Sequence, residues 1–192
     1  MSNTSVKSLL EELKDTSTLM LDLAYSSIFF NNKEIAEEVI LLYEKIEKVE
    51  EDLYMHLFSA SRGTYNSKLI SLIDIVESTK SIASAARNLA NLIIDGRELH
   101  PVIKEAIEES DEVISRVSVD ENSPAINKTL RDLGENLIIN MIAIRRKKEN
   151  EYKWIFDPKI DTKILAGDSI VIVGHESACN KFKKLLQKTD DQ

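Results

Sequence analysis

Apolar residues recur every three or four positions through most of the first hundred residues, and this spacing restricts that half of the chain to amphipathic helices. The pattern runs through residues 6–30, stops at an Asn-Asn pair, and resumes as a near-heptad series through residues 34–62. It then runs through residues 67–95 and ends at Gly96, where a left-handed C-terminal cap is expected. The spacing therefore predicts three long helices.

Small side chains in the third helix indicate how these helices pack. Residues 81–91, SIASAARNLAN, are rich in Ala and Ser, which lets a neighbouring helix approach closely. A further helix is predicted in residues 99–114, with Pro101 tolerated in its first turn. Three or four long antiparallel helices joined by short links form an up-and-down bundle.

The pattern changes near Val113, where apolar and polar residues begin to alternate as they do in β-strands. A short helix is predicted in residues 123–134, because Ser123 can cap it and Pro124 suits its first turn. The other predicted elements are strands at VISRVSV, NLIINMIAIRR, YKWIF and SIVIVG, and a final helix at ESACNKFKKLL. The order β-α-β-β-β-α is typical of a small α+β domain.

The predicted fold class is therefore α+β, in two domains. Residues 1–112 form an antiparallel helical bundle, and residues 113–192 form a small sheet covered by helices on one face. The free edge of such a sheet is a natural place for a second copy of the chain to dock.

Charge is divided unevenly between these domains. Residues 1–112 hold 11 Lys and Arg against 21 Asp and Glu, whereas residues 113–192 hold 14 against 12. Nucleic-acid binding depends largely on clustered cations, so the acidic first domain argues against it. We expect no nucleic-acid partner.

The sequence shows no catalytic apparatus. His56, His100 and His175 lack metal-ligand spacing, Cys179 is the only cysteine, and no phosphate-binding glycine loop or nucleophile motif occurs. No stretch reaches the roughly 18 consecutive apolar residues that cross a bilayer, and the N-terminus does not resemble a signal peptide. We expect a cytoplasmic, non-enzymatic protein without a cofactor, held at the inner face of the membrane only through a partner.

Motifs in the second domain follow one another in the order of a known family. They comprise a helix-like segment, an apolar strand ending in Ile-x-Arg, a Pro-x-x-x-Thr-x-Leu-x-x-Gly-Asp turn and a strand ending in Gly. The matching positions are Thr129, Leu130, Leu133, Ile144, Arg145, Pro158, Thr162, Leu165, Gly167, Asp168, Val171, Val173 and Gly174. Residues 113–186 thus resemble the TrkA C-terminal domain, also called the RCK C domain, of potassium-transport regulators. The resemblance implies a sensory module that forms dimers.

The first domain resembles a PhoU-like helical domain, most closely the variety that is fused to a TrkA C-terminal domain, and residues 13–39 are similar to the first two helices of that family. Domains of that family often carry two acidic residues four apart on the second helix and again on the third, and these bind metal ions. The corresponding positions here are Tyr43 and Glu47, and Lys80 and Ser84. A single carboxylate among four positions cannot hold a metal cluster, so we predict no metal site.

Two groups of polar residues are candidates for a functional role. Asp22 and Glu47 could make a polar contact inside the bundle, with Lys80 as the cation that a buried acid needs; alternatively, Asp22 points to solvent. Arg145 and Arg146, at a predicted strand end, could bind an anionic ligand at the dimer interface, where some relatives bind a cyclic dinucleotide. They could equally contact an acidic partner or lie in a solvated loop.

The resemblance to both families implies a regulatory subunit of cation transport, with potassium as the expected ion. It would dimerise through residues 113–186 and use the acidic bundle to contact a membrane transporter or channel subunit. The alternative is a PhoU-type regulator of phosphate uptake and signalling.

Overall fold

The computed structural model describes residues 5–61, 67–97, 99–108, 112–129, 131–133, 138–149 and 151–187. The chain divides into two compact units, residues 1–98 and residues 99–192. Among the described residues, the helices are too short or too polar to cross a lipid bilayer. The boundary at residues 112 and 113 inferred from the sequence stays a prediction.

Three long helices build the first unit, and each packs against the other two. They are α1 (Val6–Phe30), α2 (Lys33–Ser61) and α3 (Ser67–Ile94). Their apolar faces meet in a core whose larger members are Leu13, Met20, Leu23, Ile35, Ile46 and Leu53, each at most 1% exposed. The periodicity of the sequence predicted these helices correctly, because each must bury one face.

The turn between α1 and α2 is made by two asparagines. Asn31 takes the left-handed conformation, with φ of 47°, and its amide donates to the carbonyl of Ile28 at 3.2 Å. The side chain of Asn32 then accepts from the amide of Ile35 at 3.0 Å and caps α2. Asparagine suits both positions, because it tolerates positive φ and its side chain replaces a missing backbone partner.

Helix α3 packs closely, as its small residues predicted. Ala83, Ala86 and Ala90 are fully buried. The helix ends at Ile94, and Gly96, two residues further on, has φ of 66° and donates its amide to the carbonyl of Ile93 at 3.1 Å. The expected glycine cap is confirmed.

The prediction of a fourth long helix is wrong. The sequence predicted a bundle of three or four long helices, and among the described residues the bundle has three. Residues 99–114 instead contain α4 (Val102–Glu108), a helix of 7 residues that belongs to the second unit and contacts its first strand. That strand, β1 (Glu112–Ser118), includes the last three residues of the predicted helix. They form a strand because the β-branched residues of β1 pair with another strand.

The second unit is a four-stranded antiparallel sheet covered on one face by a helix. Its strands are β1, β2 (Ile139–Lys148), β3 (Glu151–Phe156) and β4 (Ser169–His175), in the spatial order β1-β4-β2-β3. Helix α5 (Glu176–Leu186) buries Cys179, Phe182 and Leu186 against this sheet. The predicted α+β class, with a helical unit followed by a sheet unit, is confirmed.

Residues 123–134 do not form the predicted short helix in their described part. Residues 123–129 and 131–133 form successive turns. Several of their hydrogen bonds join an amide to the carbonyl three positions earlier, such as that from the amide of Lys128 to the carbonyl of Ala125. Asn127 has φ of 64°, which a right-handed helix cannot accommodate. The amide of Asn127 also bonds the carbonyl of Ile164 at 2.8 Å, so a tertiary contact overrides the local signal.

The turn before β4 has the chemistry that the sequence indicated. Gly167 has φ of 76°, and the carboxylate of Asp168 accepts from the amide of Leu165 at 2.9 Å. Both roles, the left-handed glycine and the turn-stabilising aspartate, are confirmed.

Candidate functional site

Strand alternation separates the two arginines that the sequence placed together. Neighbouring residues of a strand point to opposite faces of the sheet. Ile144 lies in the core under α5, so Arg146 points to that face and Arg145 to the other. The two side chains therefore have different surroundings and make different contacts.

Arg146 holds the turn before β4 in place. Its Nε and Nη2 donate to the two carboxylate oxygens of Asp168 at 2.8 and 2.7 Å, and Nη2 also donates to the carbonyl of Lys163 at 2.7 Å. The Asp168 side chain is 1% exposed. The hydrogen bonds from Arg146 to Asp168 raise the pKa of the guanidinium above its ordinary value, although burial opposes this. This bidentate pair is a structural contact of the domain.

Arg145 lies instead among aromatic rings. Its guanidinium carbon is 4.7 Å from the centre of the Tyr152 ring and 5.9 Å from that of Trp154. Trp154 stacks on Phe156, with ring centres 5.5 Å apart. Because Trp154 is the direct cross-strand neighbour of Arg145, the sheet register itself produces this contact.

A second arginine approaches the same tryptophan from β1. The guanidinium carbon of Arg116 is 5.8 Å from the centre of the Trp154 ring, and its Nε donates to the hydroxyl of Ser169 at 2.8 Å. Ser169 pairs with Arg145 across the sheet, so all four residues share one face. We call Arg116, Arg145, Trp154 and Ser169 the arginine face.

The positive charge of the arginine face is not neutralised by a neighbouring carboxylate. Among the described residues, no ion pair involves Arg116 or Arg145, and the Nε of Arg145 is buried without a hydrogen-bond partner. Two guanidinium groups beside one indole can bind an anion such as phosphate and stack against a planar ring. The ligand role predicted for Arg145 and Arg146 stays a prediction. Of the two, Arg145 has a buried donor without a partner, whereas Arg146 is bound to Asp168 and to the carbonyl of Lys163.

The polar contact in the bundle centres on a residue that the sequence reasoning missed. The ammonium group of Lys80 pairs with Glu50, whose side chain is 9% exposed. Hydrogen bonding to Glu50 raises the pKa of Lys80, although burial opposes it, and the charge of Glu47 adds to the rise. Glu47 is exposed and Asp22 is half-buried with a contact of its own. A contact of Asp22 with Lys80 stays a prediction.

Further polar pairs extend this contact along α2 and α3. Tyr43 is hydrogen-bonded to Ser84 at 3.1 Å, and the guanidinium of Arg87 lies 4.1 Å from the centre of the Tyr43 ring. One turn beyond Glu50, the hydroxyl of Tyr54 donates to Glu77. Burial, then the neighbouring Glu77, raises the pKa of Tyr54.

Two of these pairs involve positions at which the family resemblance would place metal ligands. Tyr43 and Ser84 bind each other, and Lys80 is a cation. In the part of the chain that the structure describes, no three His, Cys, Asp or Glu side chains come together as a metal site. The prediction that the bundle binds no metal remains open to test.

Of the residues missed from the sequence, Glu50 had a clear local signal, whereas Arg116 and Trp154 had none. Glu50 lies three positions before Leu53 and four after Ile46, both core residues, so the helical period alone would have turned it inward. Arg116 and Trp154 lie on strands that are not adjacent in the sheet. Their meeting could be foreseen only with the strand order.

Two family models match the chain, one in each unit. Residues 10–93 match the PhoU domain, and residues 114–187 match the TrkA-C domain. No curated protein matches the chain.

Several solved structures are similar to parts of the chain. The RCK C domain of the potassium transport protein KtrA, in complex with cyclic diadenosine monophosphate, is 27% identical; the match covers 42% of this chain and 87% of that one, with a TM-score of 0.32. An RCK domain with cda is 23% identical over 38% of this chain and 97% of that one, with a TM-score of 0.32. BusR of S. agalactiae, in complex with its busAB-promotor DNA, is 16% identical over 92% of this chain and 96% of that one, with a TM-score of 0.34.

Proposed function

We propose that this chain, which joins a PhoU domain to a TrkA-C domain, is a non-enzymatic regulator of cation transport and that potassium is the cation. Both domain families are regulatory, and this supports the proposal. The TrkA-C domain acts as the sensor, and the acidic bundle contacts a membrane transporter or channel subunit. The regulator works in the cytoplasm, at the inner face of the membrane.

The observation that carries the sensing role is the arginine face. Arg116 and Arg145 flank Trp154 without an acidic partner among the described residues, and the Nε of Arg145 is a buried donor without an acceptor. A donor of this kind is costly unless a ligand satisfies it. A cyclic dinucleotide brings two phosphates and two purine rings, which match two guanidinium groups and an indole.

Titration calorimetry with cyclic di-AMP, the ligand of the KtrA domain, tests this role. We expect Arg145→Ala and Trp154→Ala each to weaken binding by at least about tenfold, since a charge-assisted hydrogen bond or a stacked base contributes about 1 to 3 kcal/mol. Lys147→Ala is the matched control, because Lys147 is exposed on the same face of the same strand. If the unmodified protein gave no binding heat, the proposal that it senses cyclic di-AMP would be wrong.

The second part of the proposal is that two copies pair through the TrkA-C domain. A dimer would place two arginine faces in one assembly, which suits a ligand with two phosphates. Light scattering at micromolar protein concentration should give twice the mass of one chain. A mass of one chain at all concentrations tested would contradict the pairing.

The PhoU match over residues 10–93 favours one alternative, which is a regulator of phosphate uptake and signalling. Co-purification from cells separates the two functions. The proposed function predicts a potassium or other cation transporter bound to the chain, whereas the alternative predicts a phosphate transporter or a sensor kinase.

A further inference from the structure

A stripe of exposed residues runs along the side of α2 that faces away from the bundle core. Its members follow the alternating spacing of four and three residues that brings side chains to one side of a helix. We call it the α2 outer stripe, and it consists of Glu37, Leu41, Glu44, Lys48, Glu51, Met55 and Phe58, all of them exposed. The stripe is therefore about six turns long and has the geometry of a helix-packing surface.

Three large apolar side chains of this stripe are more than half exposed, although the ring of Phe58 also contacts that of Tyr54, with ring centres 6.1 Å apart. Leu41 is 59% exposed, Met55 is 65% exposed and Phe58 is 66% exposed. Burying a side chain of this size contributes about 1.5 to 3 kcal/mol. A partner that covered these three side chains would therefore gain binding free energy from their burial. Met55 and Phe58 are one turn apart on one helix, and aromatic and methionine side chains are frequent at protein interfaces.

The charge of α2 indicates what kind of surface covers the stripe. The helix holds eight acidic residues and three lysines. Glu44 and Glu51 occupy the centre of the stripe, with Lys48 between them, and Glu47 and Asp52 flank it, all exposed. A partner must therefore bring positive charge along with an apolar seam.

The same charges oppose the pairing of this stripe with a second copy of itself. Antiparallel pairing of two copies about Lys48 sets the two lysines against each other and brings Glu44 of one copy against Glu51 of the other. A shifted register can set Lys48 of one copy against Glu51 of the other, and parallel pairing sets each glutamate against its own equivalent. In every register two helices with eight acidic residues and three lysines each come together, so a basic helix complements this surface better than a second copy does.

We propose that the α2 outer stripe is the docking surface for a basic amphipathic helix of a protein partner. The partner helix places apolar residues over Leu41, Met55 and Phe58 and lysines or arginines beside Glu44 and Glu51. This recognition mode reads apolar anchors at helical spacing. The inference names the kind of partner that the proposed regulatory role requires and rests on that role, but it does not depend on ligand binding at the arginine face.

A peptide-binding experiment with the full chain tests the proposal. The probe is a fluorescent synthetic helix of about three heptads with leucine at the a and d positions and lysine elsewhere, and its counterpart has glutamate for every lysine. We expect the lysine peptide to bind and the glutamate peptide not to bind. Met55→Ser combined with Phe58→Ser should weaken binding by at least about tenfold, which corresponds to about 1.4 kcal/mol.

Charge reversal separates the stripe from general attraction to an acidic protein. Glu44→Lys with Glu51→Lys should lower the affinity of the chain for the lysine peptide by at least about tenfold and should allow the glutamate peptide to bind. Glu11→Lys with Asp15→Lys makes the same charge change at exposed positions one turn apart on α1, and binding should stay within about twofold. Circular dichroism checks that each variant retains its helices.

Three outcomes would overturn the proposal. The first is an equal loss of binding in the α1 control variant, which would show attraction to net charge alone. The second is no binding to either peptide, and the third is a self-associated chain that Met55→Ser with Phe58→Ser returns to single chains. Cyclic di-AMP binding, measured on the same preparations, reports separately on the proposed function, so the two failures are distinguishable.

Discussion

The two units each bury a carboxylate against a cation, and they do so with different chemistry. In the bundle, Glu50 meets the single ammonium group of Lys80, whose side chain is 31% exposed. In the sheet unit, Asp168 accepts hydrogen bonds from Nε and Nη2 of Arg146 and also from the amide of Leu165. The first contact is a pair, and the second is a small network.

This difference shows how a carboxylate can either support a helix interface or define a turn. An ammonium group is a point charge on a flexible stem, so the Glu50–Lys80 pair tolerates adjustment of α2 against α3. A guanidinium is a rigid fork, and Arg146 also donates to the carbonyl of Lys163. The sheet unit therefore depends on its acidic residue more than the bundle depends on Glu50.

The largest expected effect comes from Asp168→Ala. This change leaves a partly buried guanidinium without its carboxylate and removes the acceptor of the Leu165 amide, so the free energy of unfolding of the sheet unit should fall by about 3 kcal/mol. Urea unfolding followed by Trp154 fluorescence measures it. Asp161→Ala removes only the exposed pair with Arg131 and should cost less than about 0.5 kcal/mol; equal costs for the two variants would break the comparison.

A smaller effect is expected from Lys80→Met in the bundle. Glu50 would lose its cation, and because the pair is partly exposed the free energy of unfolding should fall by about 1 to 2 kcal/mol. Adding Glu50→Leu should recover most of this loss, since two apolar side chains can pack where the pair was. Thermal unfolding followed by circular dichroism at the helix band compares the three proteins. A double variant no more stable than Lys80→Met would contradict this account.

The pH dependence of the Glu50–Lys80 pair sharpens the comparison further. The hydrogen bond to Glu50 raises the pKa of Lys80 above its ordinary value of 10.5. The stabilising contribution is therefore complete below the pKa of the unfolded chain and is lost as pH rises through the higher pKa of the folded state. The difference in free energy of unfolding between the unmodified protein and Lys80→Met should shrink from about pH 8 to above pH 11. Besides burial and Glu77, Glu50 also raises the pKa of Tyr54, so Tyr54→Phe is introduced into both proteins and only Lys80 distinguishes their titration.

The smallest effect is expected from Asp132→Ala, in an exposed turn of the sheet unit. The amide and hydroxyl of Thr129 each donate to the Asp132 carboxylate at 2.8 Å, and the hydrogen bond from the amide, then that from the hydroxyl, lowers its pKa below the ordinary 3.8. Its contribution is present above the ordinary value and is lost as pH falls through the lowered one. The melting temperatures of the two proteins should differ slightly at pH 7 and converge near pH 2. If Asp132→Ala lowered the melting temperature as much as Asp168→Ala does, the exposure of Asp132 would not explain a smaller contribution to stability.

Local sequence signals predicted most of the elements. The helical period placed α1, α2 and α3, Gly96 ended α3 as expected, and alternating β-branched residues marked the strands. Each of these features depends on residues within a few positions of one another. The failures came where a distant segment competes with a local signal, as at Asn127, whose amide bonds to Ile164.

The candidate site was predicted only in part, for the same reason. Arg145 was named because it ends an apolar strand, but its separation from Arg146 depends on which face of β2 the α5 helix covers. The contribution of Arg116 depends on β1 and β3 lying on opposite edges of one sheet, so that two long side chains reach each other across it.

The sequence by itself determined the three long helices and the strands, because burial of one face imposes a period that neighbouring residues must satisfy. Only the tertiary structure decided which charged groups meet. Arg146 with Asp168, Lys80 with Glu50 and Arg116 with Trp154 each join residues at least 22 positions apart. Such contacts follow from strand order and helix packing, on which the spacing of residues along the chain has no direct influence.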